Sequence, residues 1–280
     1  MDSKNGKWAS QILALRNSDG LWGNFHALSA PVKTYTTEQA LRKLRILGYT
    51  LEDEPIQTAV GRMVQCIKGE RKIDDYYEKK HDWPLFEKLM LSAWIRIFDP
   101  ENSTALEVAY QWAALVEKAF ESGAYNIEND RQAFYKMKGR KPKSTFETGF
   151  GMFYHAVLLK GVLSQKTERL FLDYYLSKPD GMFYIYDKPL CQTPEIFASR
   201  ASSHYLSALD VLAEYGQAKD KLRFAAEWLS KNQDENGQWD FGPKANDGIY
   251  FPISDSWRKV KDRRADCTQK ARDFLKKLRA

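Results

Sequence analysis

Acidic side chains recur at the starts of three helical segments of this sequence. Glu38, Glu87 and Glu147 each lie near the beginning of a stretch whose apolar residues have helical spacing. The helix dipole favours carboxylates there, so each residue alone has an ordinary structural explanation. Brought together around one opening, several carboxylates can act as general acid and general base, as in glycoside cleavage. The pattern therefore predicts a candidate catalytic site formed by these three residues.

A second candidate catalytic site lies in the stretch Ser-Arg-Ala-Ser-Ser-His-Tyr, residues 199–205. Arg200 and His204 are four residues apart and would share one face of a helix, with Tyr205 beside them. A histidine and a tyrosine next to a cation can abstract and deliver protons, as a polysaccharide lyase requires. A hydrogen-bonded structural histidine is the alternative interpretation of His204.

Positive charge is concentrated at the end of the chain. Residues 257–280 contain ten Lys and Arg against three Asp, while the whole chain has a net charge of +6. Arg258, Arg263 and Arg264, with Asp266 after them, predict a binding site for a phosphate, diphosphate or carboxylate group. A solvated helix face is the alternative. No nucleic-acid motif accompanies the charge, so we expect no nucleic-acid partner.

The remaining composition excludes several classes of protein. The three cysteines are widely spaced and odd in number, which disfavours a disulfide framework and predicts a cytoplasmic location. We find no signal peptide and no apolar run long enough to span a membrane. Nucleophile-elbow, phosphate-loop and paired-histidine motifs are absent as well, so we expect no cofactor and no metal.

Five glycines mark an internal repeat, with separations of 49, 54, 58 and 56 residues. Each follows a helical segment and is predicted to close it in the left-handed conformation. A second helix follows each glycine and is usually the more apolar of the pair, as expected for a helix buried between neighbours. The last second helix, rich in Lys and Arg, is the exception. The sequence therefore predicts an all-α single domain over residues 1–280, with about ten helices in five pairs. The glycines are Gly20, Gly69, Gly123, Gly181 and Gly237, and the second helices lie within 36–48, 84–98, 146–161, 202–216 and 266–278.

Five such pairs can form an open superhelix or a closed ring with the second helices inside. The closed ring agrees better with the greater apolarity of the second helices, and it would place their starts around one mouth of a central cavity. Tyr35 and Trp83 lie at two of these starts and are predicted to contact a ligand. The aromatic content of 14% is sufficient to line such a cavity.

The glycine turns also carry a resemblance to a known superfamily. Gly20-Leu21-Trp22, Gly181-Met182-Phe183 and Gly237-Gln238-Trp239 resemble the degenerate QW-like repeats of squalene/terpene cyclases and protein prenyltransferase β subunits. In the fifth repeat, Trp228 precedes the turn much as in that family. The resemblance implies an α/α toroid and a central aromatic cavity for an isoprenoid-like or other apolar ligand with an anionic head group.

The family's catalytic motifs are incomplete in this sequence. Asp74-Asp75 lacks the first aspartate of the cyclase Asp-x-Asp-Asp motif, so we do not expect a cyclase that starts by protonation. Asp266-Cys267 resembles the start of the prenyltransferase zinc site, but the spacing differs by one residue and no histidine follows. Because zinc needs three or four ligands in fixed geometry, no metal site is expected there.

Three functions remain open from the sequence. The first is a prenyltransferase-like or cyclase-like protein that binds an isoprenoid or another apolar ligand with an anionic head group. The second is a carbohydrate-active enzyme, either a polysaccharide lyase or a glycoside hydrolase, that takes a saccharide. The third is a scaffold without catalysis, which would have a narrow or filled ring centre.

Overall fold

The computed structural model describes residues 3–27, 35–77, 82–143 and 147–279. The regular elements of this part of the chain are helical, which confirms the all-α prediction. Met152 and Phe183 form an isolated β-bridge between two loops. The α-helices are α1 (Lys7–Leu13), α2 (Thr37–Ile46), α3 (Glu54–Ile67), α4 (Trp83–Phe98), α5 (Ser103–Ala119), α6 (Ile127–Lys138), α7 (Phe153–Leu158), α8 (Gln165–Ser177), α9 (Arg200–Leu212), α10 (Ala218–Lys221), α11 (Arg223–Lys231) and α12 (Val260–Lys277).

Most helices agree with the predicted pairs. The first members are α1, α3, α5, α8 and α11, and the second members are α2, α4, α7, α9 and α12. Helices α6 and α10 are additional. Helix α12 begins at Val260, six residues before the predicted start, and so contains more of the basic segment.

Helix α7 is much shorter than the predicted segment 146–161, whose first residue lies outside the described residues. It begins at Phe153 because Gly149 has a φ of 78°, in the left-handed region that ends regular α-helix. Sequence periodicity alone did not separate the apolar residues of this loop from those of the helix.

The first glycine turn shows why the Gly-x-Trp sequence recurs. The side-chain oxygen of Asn17 accepts a hydrogen bond from the backbone N–H of Leu21, which closes the turn. Gly20 has a φ of 79°, a conformation that favours glycine. The Trp22 ring is buried and its Nε1 donates to the carbonyl oxygen of Ile12 in α1 at 2.7 Å. The turn thus fixes the chain against the preceding helix.

The turn of the fifth repeat has the same hydrogen bonds. The side chain of Asp234 accepts from the backbone N–H of Gln238, and Gly237 has a φ of 70°. Trp239 Nε1 donates to the carbonyl oxygen of Leu229 in α11 at 2.7 Å. The two ends of the chain therefore repeat one structural unit, and the Gly-x-Trp sequence has a structural role.

The five predicted glycines all have positive φ, which confirms the left-handed conformation. Their role as helix stops was predicted too broadly. Gly69 directly follows Lys68, the C-cap residue of α3, whereas the helices before the other four glycines end several residues earlier. Those glycines close a tight turn after the helix instead.

The first helices contact a segment near the end of the chain. The backbone N–H of Lys7 donates to Asp255 at 2.9 Å, and Trp8 Nε1 donates to the carbonyl oxygen of Ser254 at 2.8 Å. The Lys43 ammonium of α2 donates to the carbonyl oxygen of Pro252. A closed ring requires contacts of this kind between first and last repeats. The ring itself stays a prediction that these contacts support.

Helix α4 lies at the centre of the helix packing and contacts α3, α5 and α7. Residues 89–95 of α4 are all buried, as predicted for a second helix that is apolar on every face. In the described part of the chain, no helix combines the length and apolarity needed to cross a membrane.

Candidate functional site

A cavity of about 830 Å³ lies between the second helices of the pairs. Side chains from all five of these helices line it, which is the arrangement a central ring cavity would have. Its volume lies within the range that small-ligand sites occupy. The wall includes Arg42 and Arg45 of α2, Trp94 and Ile97 of α4, Phe153 of α7, Ser207 and Asp210 of α9, Lys270 and Lys277 of α12, and Tyr250 from the loop before α12.

The cavity lies toward the C-terminal ends of α2, α4 and α9, although the sequence predicted the site at the helix starts. Helix α7 contributes its first residue, Phe153, and α12 lines the cavity along most of its length. Arg45, Ile97, Val211 and Lys277 all belong to the last turns of their helices and line it. At the N-terminal side of Arg42, the centre is filled by a hydrogen-bonded cluster around Glu38. Basic side chains in the last turns are favoured there by the helix dipole.

The guanidinium of Arg42 forms one part of the cavity wall. Its carbon lies 4.3 Å from the centroid of the Phe153 ring and 5.2 Å from that of Trp94, which gives cation–π contacts. The guanidinium donates to the Tyr250 hydroxyl at 3.2 Å and to Glu38 at 3.3 Å. A guanidinium has five N–H donors, so these two bonds leave donors available for a bound anion.

Lys270 is a second cation of the cavity wall. Its ammonium donates to the Ser207 hydroxyl at 2.6 Å and lies 4.6 Å from the Tyr250 ring centroid and 5.5 Å from that of Phe251. Among the described residues, no carboxylate lies within salt-bridge distance of this ammonium. Desolvation lowers the pKa of Lys270 to about 8.

The Glu214 carboxylate contacts three basic side chains at the cavity mouth. Glu214, just after α9, accepts from Arg45 at 2.9 Å, Lys160 at 2.7 Å and Lys277 at 3.1 Å. Burial opposes ionisation, but the charges of Arg45 and Lys277 and the Lys160 contact lower the pKa of Glu214 to about 2. Glu214 thereby connects α2, the end of α7 and α12.

The three aspartates of the cavity wall have donors of their own. Asp210 pairs with Lys277 at 2.8 Å, and Asp273 accepts from the Gln269 amide at 2.9 Å. Asp266 accepts from the backbone N–H of Ser254 at 3.0 Å. Arg42 is paired with Glu38, which lies outside the wall, and Lys270 is the wall cation without a carboxylate partner among the described residues.

Glu38 is buried within a network of four donors. Its carboxylate accepts from His26 Nδ1, the Tyr154 hydroxyl and Trp94 Nε1, each at 3.0 Å, and also from Arg42. Burial raises the pKa of Glu38, but the His26 hydrogen bond and the Arg42 charge lower it by more, so the pKa lies below its ordinary value. An ionised, fully coordinated carboxylate is suited to holding Arg42 and His26 in place.

Aromatic rings extend from this network to the protein surface. The Tyr184 ring lies 4.9 Å from His26 and 5.1 Å from Tyr154, and exposed Phe183 lies 4.2 Å from Tyr184 between centroids. Tyr184 has a φ of 77°, a strained conformation for a tyrosine. Strain of this kind concentrates at functional sites and in tight turns.

The predicted group of Arg200, His204 and Tyr205 is brought together only in part. His204 Nε2 lies 2.8 Å from Asp247, and exposed Arg200 approaches His204 at 3.5 Å. Tyr205 is buried and donates to the carbonyl oxygen of Leu190, away from His204. Tyr250 lies beside the histidine instead, with 5.2 Å between ring centroids.

The predicted acidic residues lie in different environments. Arg140 donates to Glu147 at 2.8 Å. Desolvation raises the pKa of Glu147, but the Arg140 hydrogen bond, the backbone N–H of Lys143 and the Arg140 charge together lower it by more. Glu87 is half-buried, and desolvation followed by the nearby charge of Asp75 raises its pKa. Glu38 and Glu147 are each engaged with their own cation, so the structure does not present them as a matched acid–base pair.

Two of the predicted ligand-binding residues make ordinary protein contacts, and a third is exposed to solvent. The Tyr35 hydroxyl donates to the carbonyl oxygen of Gly248 at 3.5 Å. The Trp83 ring lies 5.8 Å from that of Phe86 between centroids, in a tilted arrangement, near the aromatic rings that lead to the surface. Arg258 is exposed.

The predicted anion site in the basic segment is occupied by an internal ion pair. Arg263 donates twice to Asp240 at 2.8 Å, and Arg264 lies 3.5 Å from Asp234. Asp266 is buried and, of the three residues, is the one that reaches the central cavity. The anion-binding role of Arg263 and Arg264 stays a prediction.

Cys267, considered from the sequence as a zinc ligand, is buried and accepts from the backbone N–H of Phe241 at 3.4 Å. Desolvation raises the pKa of its thiol to about 12. The described part of the chain contains no cluster of three or more His, Cys, Asp or Glu that could hold a metal ion.

Sequence reasoning missed the cavity residues Arg42, Tyr250 and Lys270. The i,i+4 spacing of Glu38 and Arg42 was a usable signal for a buried ion pair. Lys270 was one of ten basic residues in its segment, and nothing local distinguishes it from the others. Tyr250 belongs to a loop, whose contacts depend on tertiary packing.

Comparisons of this chain with protein-family models, with curated proteins and with solved structures give no match. They do not test the resemblance to the α/α-toroid superfamily, which stays a prediction.

Proposed function

We propose that the chain is an α/α ring that binds a small organic anion with an apolar part in its central cavity. The observation that carries this proposal is the position of two cations, Arg42 and Lys270, against the same Tyr250 ring in the cavity wall. The anionic group binds between them, and the apolar part contacts neighbouring aromatic and aliphatic side chains.

The charges of the cavity support an anionic ligand. The mouth cations Arg45 and Lys277 are neutralised by Glu214, whereas Lys270 has no such partner among the described residues. Burying an unpaired ammonium is unfavourable unless another charge compensates it, and a bound anion would supply that compensation.

The walls of the cavity support an apolar part in the same ligand. The side chains of Trp94, Ile97, Phe153 and Val211 all belong to the cavity wall. Pockets for small molecules typically combine such apolar walls with a few polar groups that fix the orientation of the ligand. An isoprenoid diphosphate has this combination, as does a fatty acid, so both are suitable probes.

Isothermal titration calorimetry with farnesyl diphosphate, dodecanoate and the neutral alcohol dodecanol tests this proposal. We expect binding of at least one of the anions and at least about tenfold weaker binding of dodecanol, because loss of the charge leaves Lys270 uncompensated. Absence of heat with both anions at saturating concentration would contradict the proposal.

Matched variants locate the site. Lys270→Met removes a cavity cation and Lys276→Met removes an exposed cation from the same helix, with little change in side-chain size. Lys270→Met is expected to weaken anion binding about tenfold or more, in the range of a lost charge-assisted hydrogen bond. Equal losses in the two variants would indicate general electrostatic attraction and not this cavity.

A second candidate function is supported by the other end of the ring. His26, Glu38 and Tyr154 form a hydrogen-bonded network, and exposed Phe183 is linked to it through the Tyr184 ring, as a sugar-stacking group would be. A carbohydrate-active enzyme of the lyase type would use them. Incubation with a panel of acidic polysaccharides, followed by absorbance detection of unsaturated products, tests it, and Tyr154→Phe should abolish any such activity.

The third function, a scaffold with a filled centre, is less well supported, because a cavity of about 830 Å³ lies between the second helices. We also propose a cytoplasmic location for the protein, since Cys66, Cys191 and Cys267 are all unpaired.

A further inference from the structure

Lys270 differs from the other basic residues of its segment in its surroundings. Its amine is partly buried in the cavity wall, over the Tyr250 ring and next to Ser207. Lysines in such surroundings lose part of their preference for the charged form and become nucleophiles near neutral pH. Lys43 is also buried, but its ammonium is hydrogen-bonded to the carbonyl oxygen of Pro252.

The hydrogen bonds of Ser207 leave the lone pair of a neutral Lys270 amine available. The Ser207 hydroxyl donates to the carbonyl oxygen of Ser203 at 2.7 Å. Its proton is therefore in use, and Ser207 can only accept from Lys270. A neutral Lys270 amine donates one N–H to Ser207, and its lone pair can attack a ligand in the cavity.

Arg42 supplies the second group that a carbonyl ligand needs. Its guanidinium carbon lies 5.8 Å from the Tyr250 ring centroid, and the Lys270 nitrogen lies 4.6 Å from the same centroid. Guanidinium groups bind carboxylates through paired N–H donors. Both cations therefore border one aromatic ring, so an oxo acid bound beside it would meet Arg42 with its carboxylate and Lys270 with its carbonyl group.

We infer that Lys270 forms an imine with the carbonyl carbon of an oxo acid whose carboxylate binds Arg42. This inference rests on the proposed anion-binding function and narrows its ligand to oxo acids with an apolar tail. The apolar tail would lie along the cavity side formed by Ile97 and Val211.

The bond changes balance without a further reactant. The Lys270 nitrogen forms a bond to the carbonyl carbon, and a proton moves from nitrogen to the former carbonyl oxygen to give a carbinolamine. The C–O bond then breaks, the oxygen leaves as water with two hydrogens that came from the amine, and the C=N bond forms. No electron acceptor or donor takes part. Addition of water to the C=N bond reverses the reaction and releases the oxo acid.

Reductive trapping tests the inference. The whole protein is incubated with 2-oxooctanoate and cyanoborohydride, which reduces the imine to a stable secondary amine, and the modified peptide is identified by mass spectrometry. We expect one adduct per chain at Lys270, formed at least about tenfold faster at pH 7 than at Lys276, because a lysine with a lowered pKa has far more neutral amine. Labelling spread over surface lysines would overturn the inference.

Two variants keep the result interpretable. Lys270→Arg retains the cation but removes the nucleophile, so it should bind octanoate in calorimetry and form no adduct. Lys276→Met should form the adduct at the wild-type rate. Circular dichroism of both variants checks that the helical fold is retained.

The outcomes separate this inference from the proposed function. Octanoate binding without an adduct at Lys270 overturns the imine and leaves the anion site standing. Absence of octanoate binding overturns the carboxylate contact with Arg42 that the inference requires, whatever adduct uncharged octanal forms at Lys270, and the anion site itself is contradicted only if farnesyl diphosphate and dodecanoate also fail to bind. Absence of adducts with both carbonyl compounds overturns the inference.

Discussion

The ammonium of Lys270 lies 4.6 Å from the centroid of the Tyr250 ring, with no carboxylate within salt-bridge distance in the described residues. Arg42 approaches the same ring at 5.8 Å and donates to its hydroxyl. Two cations of one cavity wall thus share one aromatic ring, and this arrangement distinguishes the cavity from the ion-paired surface around it.

Replacing Lys270 by Met should raise the free energy of unfolding of the ligand-free protein by about 1–3 kcal/mol at pH 7. A lysine whose pKa is lowered in the folded state destabilises that state at any pH at which the unfolded chain keeps it charged. The unfolded chain binds more protons than the folded state between pH 8 and 10.5, so wild-type stability should rise with pH there. This rise should be smaller in Lys270→Met but unchanged in Lys276→Met, as measured by urea unfolding at several pH values. Lys43, whose pKa desolvation also lowers to about 8, should supply the remaining rise.

Glu214→Gln should weaken the connection between α2, α7 and α12. The folded-state pKa of about 2 lies below the ordinary value, so the stabilisation is present above about pH 4.5 and is lost as the pH falls toward 2. We expect the free energy of unfolding to fall by about 1–3 kcal/mol at pH 7, as measured by chemical denaturation. The free energies of unfolding of the wild type and the variant should converge as the pH falls toward 2. A difference between them that stays constant down to pH 2 would contradict this role of Glu214.

His155 is a buried histidine whose two ring nitrogens have no hydrogen-bond partner in the described residues. Desolvation lowers its pKa to about 3, so the folded state resists its protonation. Wild-type stability should therefore fall between pH 6.5 and 3, by up to about 1.4 kcal/mol per pH unit from this residue.

His155→Phe should remove that part of the acid dependence and cost little at pH 7, because Trp112 and Phe150 already surround the ring. Thermal unfolding of both proteins between pH 4 and 7 measures the difference. Parallel pH profiles would contradict the account of His155.

Gly20→Ala should destabilise the first glycine turn. An added Cβ would lie 2.3 Å from Thr58 Cγ2, and the φ of 79° is unfavourable for alanine. Gly123→Ala is the matched control, because its φ of 91° is also positive but an added Cβ meets no atom within 4 Å. We expect a loss of about 1 kcal/mol in the control and a larger loss in Gly20→Ala. Equal losses in denaturant unfolding would show that the Thr58 contact is unimportant.

The glycine repeat predicted the helix order because its local signals are strong. Gly20 and Gly237 impose a left-handed turn, and the apolar spacing before them has a helical period, so both follow from neighbouring residues. The start of α7 was wrong because Gly149 ends helical geometry inside an apolar stretch, which periodicity alone does not reveal.

The candidate site was less predictable because it depends on distant contacts. Glu38 was singled out for acid–base chemistry, but its role depends on Trp94 and Tyr154, which are 56 and 116 residues away in sequence. Likewise, Lys270 differs from its basic neighbours only through packing against Ser207 and the Tyr250 loop. Local sequence does not contain that information.

The central claim is that an organic anion binds between Arg42 and Lys270, and a crystal structure with a bromine-labelled fatty acid, bromododecanoate, tests it most directly. The anomalous signal of bromine locates the tail, and the electron density locates the carboxylate. We expect the carboxylate within hydrogen-bond distance of both cations and the bromine within the cavity. A carboxylate held elsewhere, for example by Arg258 or Arg264, or a cavity without the ligand at saturating concentration, would contradict the claim.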